Sequence, residues 1–155
     1  MSGPLWGALL VAHVLAAVCS YGALAATGAF ARFARRAPDP FMSDQLRRFF
    51  RPGHNLAGRL LYVVPVLGFG LLLSGSADDF SRAYPWIGLG IWTVSIAVAT
   101  GAVWPAEAAV QNLLAAGPTE GARELVDKHC RTIERSSIAL VVCFLGAFVV
   151  MVGHV

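Results

Sequence analysis

Three histidines are the side chains in this sequence with the most specific chemistry. His13 lies in a long apolar run, while His54 and His129 each precede a later apolar run. A neutral imidazole can bind haem iron or copper through one ring nitrogen. We therefore interpret His13, with His54 and His129, as candidate ligands of haem b or copper. The alternative for each is structural: a hydrogen bond inside the protein for His13, and contact with water for the other two.

Three further ionisable residues lie near the ends of apolar runs, namely Arg59, Glu107 and Glu134. An arginine about one turn inside a membrane span costs on the order of 2 to 3 kcal/mol unless it snorkels or pairs. We predict that Arg59 forms an ion pair with one of the two carboxylates and so fastens the halves of the chain together. The sequence shows no carboxylate at mid-membrane, catalytic triad or phosphate-binding glycine loop, which argues against an enzyme and an ion-coupled transporter.

These residues must be positioned by helices that cross a membrane. The chain has 155 residues, of which 57% are hydrophobic and 14% charged, whereas soluble domains average about one half and one quarter. Four runs, 5–30, 56–73, 85–104 and 137–152, are long enough to cross a hydrocarbon core of about 30 Å. Backbone groups in lipid must be satisfied within their own segment, so we predict helices. The expected fold is all-α, a single integral membrane four-helix bundle over residues 1–155.

The basic residues predict how this bundle is oriented. Of the 12 Lys and Arg residues, all but Arg82 lie in or beside the connections that follow the first and third runs. The positive-inside rule assigns those connections to the cytoplasm and both termini to the outside. We expect a multi-pass protein of the bacterial inner membrane and no nucleic-acid partner. The third and fourth helices should continue into the cytoplasm, broken at Gly117-Pro118 and restarted by Thr119 as N-cap.

A short amphipathic pattern lies in the first of these connections. Around a candidate N-cap, Ser43, apolar residues recur at helical spacing: Met42, Leu46, Phe49 and Phe50. We predict a short interfacial helix whose apolar stripe lies at the acyl boundary of the membrane. Its basic residues would then contact anionic lipid headgroups, namely Arg47, Arg48 and Arg51.

Three short apolar motifs carry a resemblance to known proteins. They are HVLAA at 13–17, LLLSG at 71–75 and VVMV at 149–152. With these motifs the chain resembles an uncharacterised family of bacterial four-helix integral membrane proteins, distantly similar to copper-resistance D-type membrane domains. The resemblance extends over the whole chain in layout. It implies that His13, in the first span, has a role.

Two functions from different classes fit these observations. The first is a non-catalytic accessory or structural subunit that docks to a larger membrane protein complex, as the small size and small-residue stripes indicate. The second is a haem- or copper-binding membrane redox protein built around His13. A small-molecule carrier is a third and weaker interpretation. The partners expected are membrane lipids, including anionic headgroups, and other membrane protein subunits.

Overall fold

A computed structural model describes residues 3–53, 56–75 and 80–153 of the chain. The regular structure within these ranges is helical, with no strand, which confirms the predicted all-α class. In chain order the α-helices are α1 (Pro4–Arg36), α2 (Asp44–Phe49), α3 (Val63–Ser74), α4 (Ala83–Val98), α5 (Trp104–Ala116) and α6 (Ala122–Val152). Shorter elements are the 3-10 helices Pro40–Met42 and Leu56–Tyr62 and the π-helix Ala99–Val103.

Four continuous helical segments are long and apolar enough to cross a membrane, as predicted. They are Pro4–Arg36, Leu56–Ser74, Ala83–Ala116 and Ala122–Val152. The last two contain 34 and 31 residues, which at about 1.5 Å per residue makes them longer than a hydrocarbon core of about 30 Å. In α6 the charged residues lie in the half 122–136, and the half 137–152 is apolar.

The centre of the bundle is the antiparallel contact between α1 and α6. Tyr21 lies against Phe144, with ring centroids 5.1 Å apart, and Arg35 bonds Asp127 at the opposite end. On α6 the buried residues recur every three or four positions: Ala122, Val126, Cys130, Ile133, Ser137 and Leu140. This spacing puts one continuous stripe of α6 on the face toward α1. Helix α1 also packs against α3 and the 3-10 helix before it.

The turn between α5 and α6 departs in part from the prediction. The break at Gly117 is confirmed, and this residue has a φ of +86° that favours glycine. Thr119 is not the N-cap, because the chain turns once more at Gly121, with a φ of +74°, before α6 begins at Ala122. The Thr119 carbonyl instead accepts a 3.0 Å bond from the Ala122 N–H. Helix α6 is therefore 31 residues long and unbroken.

The amphipathic helix α2 forms at the predicted place, but its apolar stripe does not face lipid. The Ser43 hydroxyl caps it by accepting a bond from the Leu46 N–H. Leu46 and Phe50 are buried in the core, and the ring of Phe49 stacks on Phe30 with centroids 3.7 Å apart. Contacts with α1 and α5 bury this stripe inside the protein, because those helices present apolar surface beside it. Of the predicted stripe, Met42 remains largely exposed.

Candidate functional site

His13 belongs to α1, and its imidazole forms a hydrogen bond with the backbone of α3. Its Nδ1 is 2.9 Å from the Val64 carbonyl oxygen. A carbonyl only accepts hydrogen bonds, so Nδ1 carries the proton and Nε2 keeps its lone pair in the neutral ring. Gly68 permits this approach, since a Cβ there would lie 3.3 Å from the His13 Cε1. The carbonyl bond expected of a structural histidine is thus present.

The structure does not bring His13 and His129 together. Gly28 on α1 faces Ser137 on α6, and the two helices run antiparallel. His13 lies fifteen residues before Gly28, and His129 lies eight residues before Ser137. At about 1.5 Å per residue, roughly 34 Å separates them along the bundle, too far to share an ion or a haem. His54 lies outside the described residues.

The described residues contain no group of three or more histidine, cysteine or acidic side chains that could hold a metal ion. Met42 lies 81% exposed beside α2, and the Met151 methyl group packs against Gly88 of α4. A copper site needs several soft or imidazole ligands at one point. In the described part of the chain, the ligand set expected of a copper handler is not assembled.

Arg59 does not form the ion pair that the sequence predicts. Its guanidinium lies over the indole of Trp104, 4.0 Å from the ring centroid. Tyr62, one turn later, also packs against Trp104, with centroids 5.5 Å apart. A guanidinium on an indole face gains a cation–π attraction while its remaining donors stay free for water or headgroups. Glu107 is buried in the first turn of α5, and Glu134 pairs elsewhere.

Five charged residues of α1 and α6 form one network centred on Arg35. Its Nε donates to Asp127 Oδ1 at 3.0 Å, and its Nη1 donates to Glu134 Oε2 at 2.5 Å. Arg131 donates to the other Asp127 oxygen at 2.7 Å, and Arg32 lies 3.7 Å from Glu134. Hydrogen bonds from Arg131 and Arg35 lower the pKa of the Asp127 carboxyl. The network joins the polar ends of α1 and α6.

The three arginines predicted to contact lipid headgroups are all exposed to solvent. Arg47 and Arg48 lie in the last turn of α2, and Arg51 follows it. With Leu46 and Phe50 turned into the core, the arginines occupy the opposite side of the helix. Their side chains are therefore available to groups outside the protein.

Two prolines, Pro65 and Pro105, remove backbone N–H donors within the apolar helical segments. Pro65 has no N–H for the Leu61 carbonyl four residues earlier. Trp92 of α4 supplies the missing donor, with its Nε1 at 2.8 Å from the Leu61 oxygen. Pro105 is the second residue after the π-helix Ala99–Val103. Each proline thus coincides with an irregular helical segment.

Sequence reasoning missed two further contacts in the centre of the bundle. Tyr21 donates a 2.7 Å bond to the Ser95 hydroxyl, which donates to the Ile91 carbonyl. Gly28 packs so closely on Ser137 that an added Cβ would lie 2.5 Å from the serine Cβ. A buried hydroxyl in an apolar span indicates that a partner is needed, but it does not indicate which residue supplies it.

Comparison with known proteins adds no relative to this description. No protein-family model, no curated protein and no solved structure matches the chain. The resemblance to an uncharacterised bacterial membrane family and to copper-resistance D-type domains therefore stays a prediction. Function has to be argued from the geometry of the chain itself.

Proposed function

We propose that this protein is a non-catalytic accessory subunit of a larger complex in the bacterial inner membrane. Its four apolar helical segments cross the bilayer, and both termini lie outside the cytoplasm. The ends of α1 and α6 that carry the Arg35 network lie on the cytoplasmic side, with α2. There Arg47, Arg48 and Arg51 meet anionic lipid headgroups.

The observation that carries this proposal is the internal use of the polar side chains. The imidazole of His13 bonds the backbone of α3, and Trp92 bonds the Leu61 carbonyl. Tyr21 bonds Ser95, while Arg35 is held by two carboxylates. Groups committed to such bonds position helices, and a reaction would require them to be released first. Helix surfaces that can dock another protein are what the bundle offers to its surroundings.

Purification from native membranes in mild detergent tests this function. An affinity-tagged chain, expressed at its natural level, should elute in a complex larger than the protein and its detergent micelle. The same larger species should form when formaldehyde cross-linking precedes extraction. A single monomeric species, with no cross-linked product in membranes, would contradict the proposal. Recording the visible spectrum of the same eluate tests for a cofactor in the same experiment.

Labelling in intact cells tests the proposed orientation separately. Gln45 and Arg82 are exposed and lie on opposite sides of the bilayer in the proposed topology. With Gln45→Cys, a membrane-impermeant maleimide should label the protein only after the cells are opened. With Arg82→Cys it should label intact cells. Equal labelling of the Gln45 variant in intact and opened cells would contradict the orientation, whatever the function.

One observation favours a second candidate, a haem- or copper-binding redox protein built around His13. The Nδ1–H of His13 is held by a carbonyl, which is the arrangement that orients the Nε2 of metal-binding histidines. Bound haem b would give a Soret band that His13→Ala abolishes and that Trp92→Phe, a structural variant of another helix, retains. A colourless, metal-free eluate rejects this candidate and leaves the subunit proposal standing.

A further inference from the structure

The 3-10 helix Leu56–Tyr62 divides its side chains into buried and exposed columns. Gly58 and Leu61 are buried, and the residues between and beside them are exposed. In a 3-10 helix, side chains three residues apart lie directly above one another. Arg59 and Tyr62 therefore form one exposed column at the start of the second span.

Both side chains of this column rest on one indole. The Arg59 guanidinium carbon lies 4.0 Å from the centroid of the Trp104 ring, and the Tyr62 ring lies 5.5 Å from the same residue. Trp104 is itself buried, so it supports both side chains from behind. Stacking uses the face of a guanidinium and leaves the N–H donors at its edge free.

Arg59 brings a positive charge beside the apolar part of α1. Its neighbour Gly58 packs on Leu24, since an added Cβ would lie 3.5 Å from the leucine side chain. Leu24 comes eight residues before Arg32, the first charged residue of α1. In the described part of the chain, no carboxylate pairs with Arg59. A cation beside lipid is costly unless it reaches a counter-charge, so this position favours an anionic ligand.

An exposed apolar track continues from this column along α3. Val66, Phe69 and Leu73 are exposed, and they follow Tyr62 at i+4, i+7 and i+11, which is one face of a helix. Eleven residues at about 1.5 Å each span about 16 Å. That length is about half of a hydrocarbon core of about 30 Å, or one leaflet. Polar donors at one end and an apolar track of this length match the phosphate and acyl chain of a phospholipid.

We propose that Arg59 and Tyr62, supported by Trp104, bind the phosphate of one anionic phospholipid whose acyl chain lies along the exposed face of α3. These three residues are the Arg59 site. The inference rests on the proposed placement of the chain in a membrane and adds a lipid partner to it. An anionic lipid neutralises Arg59, whereas a zwitterionic lipid brings a cation of its own.

Native mass spectrometry of the purified protein in a neutral detergent tests the site. Delipidated protein is titrated with phosphatidylglycerol or with phosphatidylcholine of the same acyl chains. We expect one phosphatidylglycerol to bind the parent protein about tenfold more tightly than phosphatidylcholine. Arg59→Gln should remove this preference, which corresponds to about a tenfold loss of affinity. Arg36→Gln removes the same charge from an exposed residue at the end of α1 and should retain the preference.

Two conservative variants separate binding from folding. Tyr62→Phe keeps the ring on Trp104 and removes one hydroxyl donor, so its affinity for phosphatidylglycerol should fall by about two- to fivefold. Arg59→Lys keeps the charge but loses the planar fork, and its affinity should lie between those of the parent and Arg59→Gln. Equal affinities of the parent and Arg59→Gln overturn the proposal. So does competition by inorganic phosphate at the lipid concentration, which would identify a site for the free anion.

The remaining outcomes distinguish this inference from the proposed subunit function. A larger complex in native membranes, with no preference for phosphatidylglycerol in the purified chain, overturns the lipid site alone. A monomeric eluate whose phosphatidylglycerol binding depends on Arg59 supports the lipid site and contradicts the subunit function alone. A chain that stays soluble without detergent contradicts both.

Discussion

The indole of Trp92 and the backbone carbonyl of Leu61 form a 2.8 Å hydrogen bond that joins α4 to the second span. The bond exists because Pro65 cannot donate to Leu61. A proline in one helix thus leaves a carbonyl without its usual donor, and a tryptophan in another helix supplies one. Trp92 supplies the Leu61 carbonyl with a donor that Pro65 cannot provide.

Replacing this donor should therefore destabilise the bundle. We expect Trp92→Phe to lower the free energy of unfolding by about 1 to 2 kcal/mol, the usual cost of one lost hydrogen bond and its unsatisfied acceptor. Adding Pro65→Ala should recover part of the loss, because the restored amide can bond the Leu61 carbonyl. Unfolding in mixed micelles of increasing sodium dodecyl sulfate measures both variants. Equal effects of Trp92→Phe in the presence and absence of Pro65 would contradict the relationship.

This contact also shows how far the sequence leads. The four spans and the break at Gly117 follow from hydrophobic length and glycine chemistry, which act locally along the chain. The free Leu61 carbonyl follows from Pro65 for the same reason. Its partner does not, because any donor in a neighbouring helix could fill that position and helix packing selects one. An indole N–H in an apolar span was a signal that an acceptor would be needed.

The two errors at the polar end of the bundle have a common physical cause. Arg59 was expected to pair with a carboxylate, but it lies on Trp104, while Glu134 bonds Arg35. The stripe of α2 was expected in lipid, but Leu46 and Phe50 lie in the core. Charge and amphipathicity specify that a group needs a partner or an apolar surface. They do not specify whether protein or membrane supplies it.

The close contact of Gly28 with Ser137 makes this glycine sensitive to any side chain. A Cβ at Gly28 would lie 2.5 Å from the Ser137 Cβ, so α1 and α6 would have to separate. We expect Gly28→Ala to lower the free energy of unfolding by about 1 to 3 kcal/mol, as overpacking in a core does. Gly22→Ala, which meets nothing within 4 Å, is the matched control and should be neutral or slightly stabilising.

Removing the obstructing side chain should rescue the first variant. Ser137→Gly opens the space that the alanine methyl group needs, so Gly28→Ala with Ser137→Gly should be more stable than Gly28→Ala alone. The four proteins form a double-mutant cycle, measured by the same detergent unfolding. Strictly additive effects would show that the two residues do not limit the approach of α1 to α6.

Arg35 should contribute to stability in a way that depends on pH. Its side chain is about 29% exposed, so solvent screens its ion pairs and we expect Arg35→Ala to cost only about 1 kcal/mol. Arg36→Ala, also an exposed arginine in the last turn of α1, should cost less. Arg131 and Arg35 lower the pKa of Asp127 in the folded protein. The stability from this shift is fully present above the ordinary carboxyl pKa of about 3.9.

That stability should be lost as the pH falls through the lowered pKa of Asp127. Thermal unfolding in detergent, followed from about pH 5 to about pH 2, should show a smaller acid-induced loss in Arg35→Ala than in the parent protein. Asp127→Asn, which cannot titrate, should reduce the acid-induced loss as well. A parent and an Arg35 variant with identical pH profiles would show that the network contributes no proton-linked stability.

Cys130, in the charged half of α6, should react slowly with alkylating reagents. It is fully buried among apolar residues, and this burial raises its pKa to about 12. A thiol with that pKa holds about a thousandfold less thiolate at neutral pH than an ordinary cysteine, and the thiolate is the species that reacts with alkylating reagents.

Lys128→Cys places an exposed thiol two residues away on the same helix. Peptide mass spectrometry after brief maleimide treatment of the detergent-solubilised protein should find position 128 labelled and Cys130 unmodified until the protein is denatured. Comparable labelling of both positions in the native protein would mean that α6 does not pack this face against α1.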